Sequence, residues 1–147
     1  MKKKQAVILV AEDDPEDCLF IKEAFSDGHA DSCLRFVEDG ERLMDYLRQR
    51  GDYADPLAAP HPSIVLLDLN MPRKDGREAL REIKMDPELR RIPVVILTTS
   101  KEEEDILRSY DLGANSYLTK PVTFSALAES LKTLGSYWLE TVELPPR

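Results

Sequence analysis

The chain has 147 residues, a formal net charge of -8 and two cysteines, Cys18 and Cys33, that lack CxxC spacing. This length suits one domain spanning residues 1–147, and with only two histidines, His29 and His61, neither structural zinc nor a disulfide framework is expected. The negative charge argues against binding to nucleic acid or an anionic membrane, and no apolar run approaches the ~20 residues of a membrane helix, so we expect a cytoplasmic protein.

Short apolar runs alternate with segments of helical period along the chain. The predicted β-strands are residues 6–11, 34–38, 64–69, 94–98 and 116–120. The first, third and fourth runs are rich in Val, Ile and Leu without polar alternation, which is typical of strands covered on both faces of a parallel sheet. A segment with apolar residues at helical spacing follows each run. The first such helix begins at the N-cap Asp14, and the last extends past Trp138.

Strands that alternate with helices in this way pair in parallel through right-handed crossovers. The sequence therefore predicts an α/β fold, a doubly wound parallel sheet with helices on both faces. Residues 52–62 contain three prolines and exceed the usual link of about 4 to 6 residues, so we expect an extended surface loop there.

Polar or charged residues stand at the ends of four predicted strands. Glu12 and Asp13 end the first, Asp68 the third, Thr98 the fourth and Lys120 the fifth. Because ligands bind beyond the carboxyl ends of the strands in such sheets, we expect these side chains to converge. Clustered carboxylates raise one another's pKa values unless a cation lies among them. A hard divalent cation such as Mg²⁺ takes one or two carboxylates, keeps several waters and binds phosphate oxygens.

The residue types at this edge suit phosphoryl chemistry on a metal ion. We expect Asp13 and Asp68 to bind Mg²⁺ directly, Glu12 to hold a coordinated water, and the backbone carbonyl of Asn70 to join them. Asp68 is also able to attack a phosphoryl group and form an aspartyl phosphate.

Two more residues at this edge suit the phosphoryl group itself. Lys120 supplies a second cation opposite the metal. The hydroxyl group of Thr98 is a donor for a phosphoryl oxygen.

Four segments resemble the receiver domain of response regulators, the CheY-like module of two-component signalling. They are VAEDD (10–14), IVLLDLNMPRKDG (64–76), PVVILTTS (93–100) and GANSYLTKP (113–121). The resemblance covers about residues 5–135, followed by an extended last helix and a short tail over residues 136–147. It implies a flavodoxin-like sheet of five strands in the order 2-1-3-4-5 with five helices.

The resemblance also implies roles for single residues. Asp68 is implied as the phosphoacceptor, with a partner histidine kinase as donor in a phosphorelay, and Glu12 and Asp13 as the acidic pair. Thr98 and Lys120 are implied to read the phosphate, and Tyr117 to be the rotating aromatic of the switch. Pro121 matches the Lys-Pro step of the family, which is often a cis bond.

The expected output is a change on the face formed by the fourth helix, the fifth strand and the fifth helix. Tyr137 and Trp138 in the extended last helix are costly to expose together, which indicates an interface, and we expect a homodimer. Residues 46–80 are similar to a subgroup of stand-alone regulators that pair with bacterial phytochrome histidine kinases. We therefore expect a stand-alone regulator in a phytochrome-linked system.

Two other classes share parts of this pattern. A haloacid-dehalogenase-like phosphatase also uses a nucleophilic Asp with Mg²⁺ and Lys, but its nucleophile belongs on the first strand, and Asn70 stands where it needs a second Asp. A flavodoxin-like electron carrier shares the topology, but residues 12–17, EDDPED, would repel the phosphate of FMN. Repeated turnover of a generic phosphate ester would favour the first class and a coloured, flavin-bound protein the second. We expect neither, and no enzymatic turnover.

Overall fold

A computed structural model describes residues 6–28 and 33–146 of the chain. Within these residues, one sheet holds five parallel strands in the order β2-β1-β3-β4-β5. The strands are β1 (Val7–Ala11), β2 (Cys33–Val37), β3 (Ile64–Leu67), β4 (Val94–Thr98) and β5 (Ser116–Thr119). The helices are α1 (Pro15–Gly28), α2 (Gly40–Leu47), α3 (Gly76–Met85), α4 (Glu103–Asp111) and α5 (Phe124–Gly135). The predicted fold and strand order are confirmed, while His29 and residues 1–5, including the predicted start of the receiver core, lie outside the described residues.

Both faces of the sheet are covered because alternate residues of each central strand point to opposite layers. Ile8 and Val10 of β1 pack in the cluster that contains the apolar faces of α1 and α5. Their neighbours Leu9 and Ala11 pack in the opposite cluster with α2 and α3. The unbroken apolar runs of the sequence are thus explained by burial on two sides.

The fourth helix is held less firmly than the others. In α4 only Ser109 is fully buried among the described residues, whereas α3 buries Ala79, Leu80 and Ile83. Leu107 of α4 is 66% exposed. A helix with so little buried apolar surface is readily displaced from the sheet.

The last helix continues beyond α5 as predicted, but with a wider turn. Ser136–Thr141 form a π-helical segment directly after α5. Tyr137 in this segment is exposed, whereas Trp138 is partly buried against the α1–α5 layer. No helix among the described residues has both the length and the apolar character needed to cross a bilayer.

The segment 52–62 is more firmly anchored than the predicted surface loop. It begins in a 3₁₀ turn, Gly51–Tyr53, and Ala59 is fully buried. The hydroxyl of Tyr46 in α2 donates to the carbonyl of Pro60 at 2.7 Å, and its ring packs against the ring of Tyr53. The segment is a surface connection, as predicted, with residues 54–58 exposed, and these contacts anchor it on α2.

Candidate functional site

The backbone holds the predicted site residues just beyond the strand ends. The N–H of Glu12 donates to Val37 O at 2.9 Å, and the N–H of Asp68 donates to Ala11 O at 3.1 Å. Between β4 and β5, the N–H of Lys120 donates to the carbonyl of Thr98 at 2.7 Å. These bonds continue the sheet ladders by one residue, so the side chains that follow the strands are fixed by the sheet itself.

Three carboxylates converge at this edge. Glu12, Asp13 and Asp68 offer oxygens that all lie within 4.8 Å of one another. Glu12 and Asp68 are buried and Asp13 is exposed, so the cluster opens to solvent on one side. Hard divalent cations bind such sets of carboxylate oxygens, and the three residues fit a metal ion of this kind.

The ammonium of Lys120 reaches into the same pocket. Its Nζ lies 3.0 Å from Asp68 Oδ2 and 2.8 Å from Asp17 Oδ2, and it also contacts Glu12 Oε1. The side chain is only 7% exposed. Burial lowers the pKa of Lys120, but the hydrogen bonds to Asp17 and Glu12 outweigh burial and raise it above its ordinary value. Lys120 is therefore a fixed positive charge at every physiological pH.

The charged form of Glu12 is the least favourable in the carboxylate cluster, because Glu12 is buried. Burial raises its pKa to about 7, the nearby Asp68 carboxylate adds to the rise, and the hydrogen bond from Lys120 opposes it. One oxygen of Glu12 contacts Lys120, and the other accepts the N–H of Asp14 at 3.1 Å. A second cation in the pocket would favour the charged form of Glu12 and lower its pKa.

Thr98 carries an unused donor. The residue is fully buried, and its Oγ1 has no hydrogen-bond partner among the described residues. Buried hydroxyls are seldom left without a partner. An oxyanion placed at the end of β4 would supply the missing acceptor, which fits a phosphoryl group held by Asp68.

The loop after β3 is packed tightly against the start of α3. The N–H of Asn70 donates to Asp68 Oδ1 at 3.1 Å. A Cβ at Gly76, the first residue of α3, would lie 2.1 Å from the carbonyl oxygen of Asp68, so no other side chain fits there. The metal role of the Asn70 carbonyl stays a prediction.

Asp14 acts as the helix cap that the sequence predicts. Its Oδ1 accepts the N–H of Glu16 at 2.9 Å at the start of α1. The Lys120–Pro121 bond is trans, the form that most X–Pro bonds take.

Tyr117, the predicted switch aromatic, faces the α2–α3 layer. Its ring is half-buried, and its hydroxyl donates to the carbonyl of Ser100 at 3.0 Å. The hydroxyl of Ser100 in turn donates to Asp105 Oδ2 at 2.6 Å. Asp105, in the first turn of α4, is also bound by Arg77 of α3 through two nitrogens, at 2.9 and 3.0 Å.

These contacts form one network, which we call the α4 latch: Arg77, Ser100, Asp105 and Tyr117. The latch ties α3, the β4–α4 loop, α4 and β5 together.

The predicted interface pair lies at the far end of α5. The rings of Tyr137 and Trp138 meet edge to face with centroids 5.4 Å apart. With Leu118 of β5 and Leu134 of α5 they line a groove of about 640 Å³. Trp138 is thus partly a packing residue, and Tyr137 is the more exposed of the two.

Two features of the site were not predicted. Asp17, in the first turn of α1, contacts Lys120, and the only sequence signal was its place in the acidic run 12–17. The Arg77–Asp105 pair joins residues 28 positions apart, and charged residues in helices give no signal for such a contact.

Comparison with known proteins gives consistent matches. Residues 8–132 match the response regulator receiver domain family. The response regulator Rcp1 of Synechocystis is 45% identical over 139 residues, which are 95% of this chain and 92% of Rcp1. The structure of Mn²⁺-bound Rcp1 has a TM-score of 0.89 at 45% identity and covers 96% of this chain and 99% of that one.

Two further solved structures extend the likeness. The phosphorylated cyanobacterial phytochrome response regulator RcpA gives a TM-score of 0.92 at 45% identity, over 97% of this chain and 100% of that one. RPA3017, a response regulator in red light signaling of R. palustris, gives 0.90 at 41% identity, over 97% of this chain and 99% of that one.

Proposed function

This chain belongs to the response regulator receiver domain family, and from this premise we propose that Asp68 accepts a phosphoryl group from the phosphohistidine of a partner histidine kinase. The observation that carries the proposal is the single pocket that joins the Asp68 carboxylate, two further carboxylates and the Lys120 ammonium. Receiver domains take up phosphoryl groups in general. The choice of Asp68 rests on its place in this pocket.

The transfer needs alignment and charge neutralisation more than proton chemistry. A carboxylate oxygen of Asp68 forms a bond to phosphorus while the bond from phosphorus to the histidine nitrogen breaks. The phosphohistidine ring carries a proton on its other nitrogen, so the products are an aspartyl phosphate and a neutral imidazole. Lys120, already at Asp68, donates to the phosphoryl oxygens, and the Thr98 hydroxyl supplies a further donor.

The proposed metal ligands are Asp13 and Asp68, with Glu12 acting through a coordinated water and Asn70 through its backbone carbonyl. Receiver domains bind a divalent cation at the acidic pocket, and the related Rcp1 has an Mn²⁺-bound form. When bound, Mg²⁺ neutralises charge on the phosphoryl oxygens. The raised pKa of Glu12 and the orphan hydroxyl of Thr98 fit a pocket that receives a cation and an oxyanion together.

The test of the proposed function is labelling with acetyl phosphate in Mg²⁺, read by intact-protein mass. We expect one phosphoryl group on the wild-type chain, none on Asp68→Asn, and none in the presence of a chelator. Asp52→Asn is the matched control, because the side chain of Asp52 is 85% exposed, and it should label normally. Labelling of Asp68→Asn at the wild-type rate would contradict the proposal, and continuous release of phosphate in multiple turnovers would favour the phosphatase class.

We also propose how the phosphoryl group changes the surface. A phosphoryl oxygen draws the Thr98 hydroxyl toward Asp68, which shifts the β4–α4 loop that follows Thr98. Ser100 in this loop accepts from Tyr117 and donates to Asp105, so a shift of the loop reaches Tyr117 and α4 together. Because α4 has little other buried surface, the face made by α4, β5 and α5 responds.

Homodimerisation through this α4–β5–α5 face, continued by Tyr137 and Trp138, is the proposed output. The support is the 51% exposure of Tyr137 beside the apolar groove, a combination typical of interfaces. We expect Tyr137→Ser to weaken the dimer in sedimentation velocity. Leu57→Ser, which removes an 85% exposed apolar residue elsewhere, is the control. Equal weakening by both variants, or none by Tyr137→Ser, would contradict this interface.

The same sedimentation assay also tests the role of Lys120. We expect Lys120→Ala to accept the phosphoryl group but to show no phosphorylation-dependent change in sedimentation. If phosphorylation changed the sedimentation of that variant normally, Lys120 would not be needed for signalling.

Two further proposals concern context. We propose that residues of about 5–135 form the receiver core and that residues 136–147 extend it toward the interface. We also propose a phytochrome histidine kinase as the partner, supported by the likeness to RcpA and Rcp1 over nearly the full length of each. Phosphotransfer from purified phytochrome kinases, measured against unrelated histidine kinases, tests this choice, and equal rates from both groups would contradict it.

A further inference from the structure

The Lys120 ammonium has three hydrogens and three carboxylate partners, Glu12, Asp17 and Asp68. Glu12 and Asp68 belong to the carboxylate cluster whose oxygens a metal ion would also use. Asp17 also binds Lys120, but it does not belong to the carboxylate cluster found among the described residues. Of the three contacts, the one with Asp17 is therefore compatible with both a bound metal and a phosphorylated Asp68.

The local structure of α1 leaves Asp17 free for this contact. Asp17 occupies the third position after the N-cap Asp14, where in a capping box a Glu or Gln bonds back to the N–H of the cap residue. Here Glu12 Oε2 already accepts that N–H at 3.1 Å. The Asp17 carboxylate instead bonds Lys120 at 2.8 Å, with 26% of its side chain exposed.

We propose that Asp17 is a positioning residue for Lys120, one that anchors the ammonium on the α1 side of the pocket while a phosphoryl oxygen takes over its contact with Asp68. This inference rests on the proposed function of Asp68 and Lys120. The side chain of Lys120 is a flexible four-carbon chain, and without an anchor its ordering has to occur during the transfer. Asp17 orders it beforehand, because α1 is itself fixed against α5.

The experiment compares Asp17→Ala, Asp17→Asn and Glu16→Gln in the full chain. Asp17→Ala should slow phosphorylation by saturating acetyl phosphate in Mg²⁺ about fivefold, the loss of one partly exposed charge-assisted hydrogen bond. Asp17→Asn keeps an acceptor oxygen and should lie between Asp17→Ala and the wild type. Glu16→Gln removes one negative charge from the same turn at an exposed position, and its rate should stay within about twofold of the wild type because salt and water screen exposed charges.

A second readout does not depend on phosphorylation. With Mg²⁺ bound, the Lys120 ammonium held by Asp17 should give an NMR cross-peak, assigned by its absence in Lys120→Ala, that Asp17→Ala removes. Far-ultraviolet circular dichroism confirms that each variant is folded. The rate effect of Asp17→Ala should also vanish in a Lys120→Ala background, since Asp17 acts through Lys120.

Several results would overturn the inference. They are an unchanged ammonium signal in Asp17→Ala, an equal rate loss in the Lys120→Ala background, and a loss in Glu16→Gln as large as that in Asp17→Asn. Failure of the proposed function is distinguishable, because it shows as normal labelling of Asp68→Asn in the otherwise wild-type chain.

Discussion

Gly76→Ala tests whether the close approach of α3 to Asp68 positions the site. The added Cβ would lie 2.1 Å from the carbonyl oxygen of Asp68, against a practical minimum of 3.0 Å, so α3 or the β3–α3 loop has to move by about 0.9 Å. Overpacking of this kind costs about 1 to 3 kcal/mol of folding free energy. A displacement of about 1 Å at a reacting group costs about 100-fold in rate.

The assay for Gly76→Ala combines urea denaturation with the initial rate of labelling by acetyl phosphate. We expect the unfolding free energy to fall by about 2 kcal/mol and the labelling rate to fall by about 100-fold. Gly51→Ala is the matched control, because a Cβ there meets nothing within 4 Å and only the φ of +58° is strained. That strain costs about 1 kcal/mol and should leave labelling unchanged. Normal labelling of Gly76→Ala would refute the reasoning.

Two other predictions concern charge. Since the pKa of Glu12 is raised to about 7 in the folded chain, its contribution to stability without metal is present below pH 4.5 and is lost as pH rises through 7. Mg²⁺ favours the charged carboxylate, so calorimetry should show weaker affinity at pH 6 than at pH 8, with proton release on binding near neutral pH. A pH-independent affinity, or the same pH dependence in Glu12→Gln, would contradict this prediction. Asp105→Asn breaks the α4 latch, and hydrogen exchange in α4 should become about tenfold faster before phosphorylation; unchanged exchange would exclude the latch as the restraint on α4.

The fold was predictable because its main determinants are local. Apolar runs without polar alternation, such as residues 64–69, indicate strands buried on both faces, and the helical segments between them allow only crossover connections. The convergence of Asp13, Asp68 and Lys120 followed from parallel topology alone, since carboxyl ends of parallel strands share one edge.

The features that were not predicted depend on three-dimensional packing. Asp17 reaches Lys120 because the start of α1 and the residue that follows β5 meet at the same pocket, and Glu12 already accepts the N–H of Asp14, which leaves the Asp17 carboxylate for Lys120. The loop at residues 52–62 folds back because Tyr46 bonds the Pro60 carbonyl, and neither partner carries a sequence signal for the other. Such contacts join side chains from separate elements, so periodicity gives no information about them.

The most direct measurement of the central claim is a crystal structure of the chain with Mn²⁺ and beryllofluoride, a non-hydrolysable stand-in for the phosphoryl group. We predict the metal on oxygens of Asp13 and Asp68 and the beryllium on Asp68, with its fluorides within hydrogen-bond distance of Thr98 Oγ1 and Lys120 Nζ. Metal bound away from these carboxylates, or beryllofluoride on another residue, would contradict the account.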